Sequence, residues 1–209
     1  MNDDSAPLNE TEPDLPAIDF QSPGRFSVHN PASDALPPRL LEPAPFRLGE
    51  HAALERFHTP EQAQAHALAL LQQAQSSICL YSPDLEHLLY NHSSVQDACT
   101  QLLLANPRNQ LRILLRDVSR PIKNGHRLLN LAQRITSNLH IRKINPDLPS
   151  EDSAYLLVDR CGLLLRPKPE TYSGYALYND AGRVRGQQAQ FNQAWDTSLL
   201  DPDLRSFLL

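Results

Sequence analysis

Between Arg108 and Lys143 the chain carries nine bases (Arg108, Arg112, Arg116, Arg120, Lys123, Arg127, Arg134, Arg142 and Lys143) and a single acid, Asp117. Cations at this density suit phosphate recognition, because each contact releases condensed counterions. Arg116 and Asp117 end a predicted strand, the edge where open α/β sheets bind ligands. The candidate anion- or ligand-binding residues are Arg116, Asp117, Arg120, Lys123, His126, Arg127 and Arg134. Two placements arise for the helix that follows. If it begins early, Lys123, Arg127, Asn130 and Arg134 share one face, opposite Leu128, Ala132 and Ile135. If Asn124 is its N-cap, Lys123 precedes the first turn, His126 and Arg127 lie within it, and free backbone N–H groups join the cations as an anion site. A solvated helix face with an Arg116–Asp117 ion pair fits the same pattern. Aromatics do not interleave with these bases. Tyr81, Tyr90 and Tyr155 stand elsewhere, so base stacking on single strands lacks support here.

Other chemistry finds no pattern. His87 and His92 are five apart, off the spacing that stacks ligands on one helix face, and no HExxH or CxxC accompanies them. No metal site and no cofactor are expected. GxSxG, GxGxxG and GxxxxGK are absent, and seven glycines leave little material for phosphate loops. Asp84 and Glu86 have no partner evident in sequence. Cys79, Cys99 and Cys161 are an odd set without CxxC spacing, which reads as reduced thiols in a cytoplasmic protein. The start MNDDSAPLNE lacks a basic region and an apolar core, so no signal peptide is expected. No apolar run approaches the roughly 20 residues of a membrane helix, so no membrane partner is expected.

The elements that must position these residues alternate. Thr59-Pro60-Glu61-Gln62 predicts a helix start, with Thr59 as N-cap and Gln62 completing a capping box. Ile78–Tyr81 predicts a strand, and a helical region follows through Leu88, Leu89, Val95, Ala98 and Leu102. Gln110–Asp117 alternates as a strand, with Leu111, Ile113 and Leu115 opposite Arg112, Leu114 and Arg116. A loop over 118–125 precedes the basic helix, and Asn138–Ile144 predicts a further strand. Ala154–Val158 and Gly162–Leu165 then predict two strands around an Asp159-Arg160 corner. Gly174–Tyr178 predicts one more strand, and Phe191 and Trp195 lie on a closing helix. The pattern is α/β, a mixed sheet flanked by helices.

Charge divides the 209 residues unevenly. Up to Phe46 there are eight acids against Arg25 and Arg39, and the rest has 16 acids and 17 bases, so the net −5 belongs to the tail. Nine prolines and scattered apolar residues make residues 1–47 an expected disordered, acidic tail, with Phe46–Leu48 able to dock. Residues 48–209 are the expected domain.

The order of these pieces resembles one half of the phospholipase D-like superfamily. The similarity runs from Pro60 to Ser198, through Ser77–Tyr81, Leu111–Asp117, AYLLVDRCGLLL and the trailing FNQAWDTS. Small proteobacterial proteins of unknown function with a degenerate phospholipase D-like domain look similar. The family's catalytic signature is His-x-Lys, four residues, then Asp. With that Asp on Asp159, the His position is Asp152 and the Lys position is Ala154. The later Gly-Ser and Asn fall on Arg166, Pro167 and Glu170.

The resemblance thus implies a vestigial motif of Asp152, Ala154 and Asp159 with no catalytic residues. A carboxylate at the His position repels a phosphodiester, and alanine offers no donor. Asp159 reads as the corner of a hairpin whose side chain caps backbone donors. Single-half members of the family often pair, which implies a homodimer. The expected task is binding or regulation of nucleic acid or another phosphate-bearing ligand through residues 108–143. A divergent phosphodiesterase or nuclease, or a protein-interaction module, are the alternatives.

Overall fold

The computed structural model describes residues 41–148 and 152–206. Of the acidic tail expected over 1–47, residues 1–40 lie outside the described residues. Residues 41–47 lie along the domain. The Ala44 N–H donates to the Ala65 carbonyl at 2.9 Å, and Gln73 Nε2 donates to the Phe46 carbonyl at 3.0 Å. Leu41, Ala44, Phe46 and Leu48 all pack against the core.

The elements in chain order are β1 (Glu55–Phe57), α1 (Pro60–Gln72), β2 (Ser77–Ser82), α2 (His87–Tyr90), α3 (Ser93–Ala105), β3 (Gln110–Leu115), α4 (Ser119–Lys123), α5 (Arg127–Arg134), β4 (Leu139–Lys143), β5 (Ala154–Val158), β6 (Gly162–Arg166), β7 (Gly174–Leu177), α6 (Ala181–Asp196) and α7 (Pro202–Ser206). Helix α1 begins as its sequence predicts: Thr59 Oγ1 accepts from the Gln62 N–H at 3.3 Å and Pro60 opens the first turn. Gln62 Oε1 reaches back to the His58 N–H at 3.0 Å rather than to that of Thr59, so the capping box is displaced by one residue.

The seven strands form one mixed sheet in the order β1-β7-β6-β5-β2-β3-β4. Strands β2, β3 and β4 are parallel, since helices return the chain between them, and the register runs Ile78–Leu111–Leu139. The Asp159-Arg160 corner instead turns β5 straight into β6, and β2 pairs antiparallel with β5. Alternation along the strands splits the core in two. Leu80, Ile113, Leu156 and Leu164 meet Leu68, Leu71, Leu102 and Leu128 of α1, α3 and α5. Cys79, Tyr81, Leu114, Leu157 and Leu163 face Val184, Phe191 and Trp195 of α6.

Three departures from the sequence reading matter. Strand β1, only three residues long, gives too short an alternation to be recognised. The helical region after β2 breaks at Asn91 into α2 and α3, with His92 Nδ1 accepting from the Ser94 N–H. The loop expected over 118–125 holds the short helix α4, and Gly125, whose φ of +61° suits glycine, separates it from α5.

Candidate functional site

The carboxyl ends of β2 and β3 diverge into the 83–88 turn and the start of α4. The Pro83 carbonyl accepts from the N–H groups of Arg116 (3.1 Å) and Asp117 (2.8 Å), which fixes that turn to the end of β3. Ser82 Oγ accepts from the Leu85 N–H at 3.1 Å and Asp84 Oδ1 from the Glu86 N–H at 3.2 Å. Leu85 and Glu86 take φ of 60° and 20°, a backbone that side chains with a Cβ seldom adopt. A cleft of about 550 Å³ opens here, lined by Asp84, Glu86, His87 and Leu88 of the turn, by Arg116 and Arg120, and by Pro169, Glu170 and Tyr172 of the loop after β6. A neighbouring hollow of about 430 Å³ shares Asp84, His87 and Arg120 and adds Lys123 and His126.

The arginines of the cleft face carboxylates. Arg120 Nη1 lies 3.0 Å from Asp84 Oδ2, and Arg116 Nη2 lies 3.7 Å from Asp152 Oδ1. Arg166, 1% exposed, pairs with Glu86 and donates to the carbonyls of Pro169 (3.2 Å) and Thr171 (3.3 Å). Its guanidinium carbon stands 5.7 Å from the Tyr172 ring centroid. Burial pulls its pKa below the usual arginine value, opposed by Tyr172, Asp84 and Glu170. One side chain thereby ties the 169–172 loop to the 83–86 turn. Among the described residues, Glu86 Oε2 is buried with no hydrogen-bond partner.

Helix α5 takes His126 as its N-cap, not Asn124. His126 Nδ1 accepts from the Leu128 N–H at 3.2 Å, Asn91 Oδ1 takes the Arg127 N–H at 2.8 Å, and the His126 carbonyl takes the N–H groups of Leu129 and Asn130. Those donors have protein acceptors, which removes the anion site expected on free backbone N–H groups. His126 is 1% exposed, and its Nε2 lacks a partner among the described residues. Burial, then the neighbouring His87, lower its pKa to about 4; the Leu85 backbone opposes this without completing a bond. Being neutral with Nδ1 as acceptor, the ring carries its proton on Nε2.

The cations separate by surroundings. Arg112 stacks 5.2 Å from the Phe191 centroid and 5.5 Å from that of Trp195, and Arg142 lies 4.5 Å from Trp195 and donates to its carbonyl at 3.3 Å. Both serve α6 packing. Asp117 Oδ1 accepts from the Ser119 N–H at 2.9 Å at the start of α4. Lys123, Arg127 and Arg134 are exposed and make no salt bridge among the described residues. Arg127, Asn130 and Arg134 share the outer face of α5, opposite buried Leu128 and Leu131, while Lys123 ends α4.

The motif positions fall at opposite ends of β5, on the order of 20 Å apart at about 3.3 Å per residue. Asp159, with φ of +52°, closes the hairpin. Its carboxylate accepts from the N–H groups of Gln75 (2.9 Å), Ser76 (2.8 Å) and Ser77 (2.9 Å) and from Ser76 Oγ (2.7 Å). Ala154 is buried and stands opposite Arg166 in the ladder, and the Asp152 side chain is 96% exposed. Tyr172 escaped the sequence reading, and Glu86 and Arg166 stood in it without partners, because their proximity depends on how the sheet brings the loop after β6 beside the turn after β2. Among the described residues, no group of three or more His, Cys, Asp or Glu side chains could hold a metal ion, and no helix is long and apolar enough to cross a membrane.

Comparison with solved structures finds TrmBL2, described as an archaeal chromatin protein with a novel mode of DNA binding, at a TM-score of 0.52 and 17% identity, covering 72% of this chain and 55% of that one. The chain thus spans about half of that protein. Nuc, a phospholipase D family member from Salmonella typhimurium, matches at a TM-score of 0.50 and 14% identity, covering 70% of this chain and 95% of that one. The fold is phospholipase D-like, as the resemblance implied. No curated protein gives a significant sequence match. A family model described as a domain of unknown function, DUF7931, matches residues 59–207, and the chain belongs to that family.

Proposed function

We propose that this domain binds a phosphate-bearing polymer, nucleic acid foremost, without turning it over. The observation that carries the reading is the row of exposed cations Lys123, Arg127 and Arg134, which lack carboxylate partners among the described residues. Arg116 and Arg120 extend it, each holding a carboxylate that a phosphate displaces at little cost, because exposed ion pairs contribute only about 0–1 kcal/mol. Asp117 and His126 position this surface rather than touch the ligand, the first through Ser119 and the second through the N-cap of α5. TrmBL2 is described as binding DNA, but that likeness is one of fold, so the charge carries the argument.

The absence of turnover rests on the β5 positions. Asp152 and Ala154 supply neither nucleophile nor cation, and Asp159 is engaged by four backbone and hydroxyl donors at the far end of the strand. The same reading treats residues 48–209 as the binding domain and the protein as a homodimer. Three free cysteines support a reducing, cytoplasmic setting. The test is binding to mixed DNA and RNA alongside hydrolysis of a generic phosphodiester. Salt-sensitive binding without turnover is expected; turnover lost on Asp152→Asn overturns the non-catalytic part.

A further inference from the structure

The cleft between the 83–88 turn and the 169–172 loop has features that a polyanion lying on α4 and α5 does not use. Its volume of about 550 Å³ suits one small ligand and is too narrow for a duplex. Arg116 and Arg120 line it, against Asp152 at 3.7 Å and Asp84 at 3.0 Å. Tyr172 adds a partly buried aromatic ring to its lining. Glu170 is exposed on the same loop, and Glu86 Oε2 is a buried acceptor without a donor among the described residues. The turn that presents Glu86 has two successive non-glycine residues at positive φ, and backbone of this kind collects at ligand sites.

Inorganic phosphate uses only the arginines. A nucleotide with an amino-bearing base uses all three features: phosphate for the cations, a π face for the tyrosine and N–H groups for the exposed Glu170 carboxylate. Guanine fits best, because its ring N–H and 2-amino group form two parallel donors that one carboxylate accepts together.

We propose that this cleft binds a single unpaired nucleotide, guanine preferred, with its phosphate at Arg116 and Arg120, its base against Tyr172 and its amino edge towards the exposed carboxylate of Glu170. This rests on the phosphate-binding reading above. A free nucleotide and the unpaired end of a strand share that chemistry.

The test titrates the full chain calorimetrically with GMP, UMP and inorganic phosphate, then competes GMP with a 5′-phosphorylated single strand beginning in guanosine. GMP is expected to bind about tenfold or more tighter than UMP or phosphate, the scale that stacking and one bidentate contact provide. Displacement of GMP by the strand assigns the site to strand ends, and no displacement assigns it to free nucleotide. Glu86→Gln strands the buried Arg166 and risks the fold, so Tyr172→Leu and Glu170→Gln carry the residue test, and each should erase most of the GMP advantage. Equal affinity for GMP, UMP and phosphate, or full GMP affinity in both variants, overturns the proposal. Binding of duplex DNA is measured in parallel. If it persists while GMP shows no advantage, the pocket falls alone; if both are absent, both readings fall.

Discussion

Arg166 stands directly across the β5–β6 ladder from Ala154, and it is the long side chain of that pair that fills the space beside the 83–86 turn. Its guanidinium pairs with Glu86 and is spent on structure, holding the turn and the 169–172 loop together. Breaking one side of such a buried pair leaves an uncompensated charge. Glu86→Ala should therefore lower stability by roughly 3–5 kcal/mol in urea unfolding, and Glu86→Gln with Arg166→Met should recover much of that loss. A double variant no better than the single one would show that the pair is not the cause.

The four bonds to Asp159 make a second stability prediction. Asp159→Ala strands three backbone N–H groups around Gln75–Ser77, so a loss of about 2–4 kcal/mol is expected, with nucleic-acid affinity unchanged in whatever fraction remains folded. Selective loss of binding at unchanged stability would assign Asp159 to the ligand instead.

The buried His126 predicts a pH dependence. Its folded pKa of about 4 lies below the ordinary 6.5, so the folded state disfavours the imidazolium. The unfolded chain takes up the proton first as pH falls. The stability this contributes is complete above pH 6.5 and is lost as pH drops towards 4, tending to on the order of 3 kcal/mol. His66, also pulled down by burial and hydrogen-bonded through Nδ1 to Tyr178 Oη at 2.9 Å, adds in the same direction. Thermal melts at pH 7 and pH 4.5 should show a smaller difference for His126→Asn, which keeps a side-chain oxygen for the cap.

Much of the fold was legible because its signals are local. The capping sequence at Thr59, the alternation of Leu111, Ile113 and Leu115, and the polar corner at Asp159 each specify their own element. The reading of Asp159 as a cap needed only the habit of aspartate in tight turns. The short helix α4 inside the expected 118–125 loop was not legible, since the five residues Ser119–Lys123 are too few to show helical spacing. Nor was the fate of Arg112 and Arg142, whose stacking on Trp195 depends on where α6 returns across the sheet. Tyr172 lay outside any local pattern linking it to Arg116. Charge density located a surface, and strand register decided which charges remain on it.

The homodimer has its own test. Sedimentation of the full chain across a tenfold concentration range should give a dimer, and a strict monomer throughout would remove that part of the reading.

The most direct measurement is the affinity for a mixed-sequence DNA duplex across a salt series, for the native chain and for Arg127→Ala with Arg134→Ala. Three to five phosphate contacts predict that log affinity falls with log salt at a slope of about −2.7 to −4.5, and the double substitution should flatten that slope by about 2. No binding at low salt, or a slope that the double substitution leaves unchanged, would contradict the account.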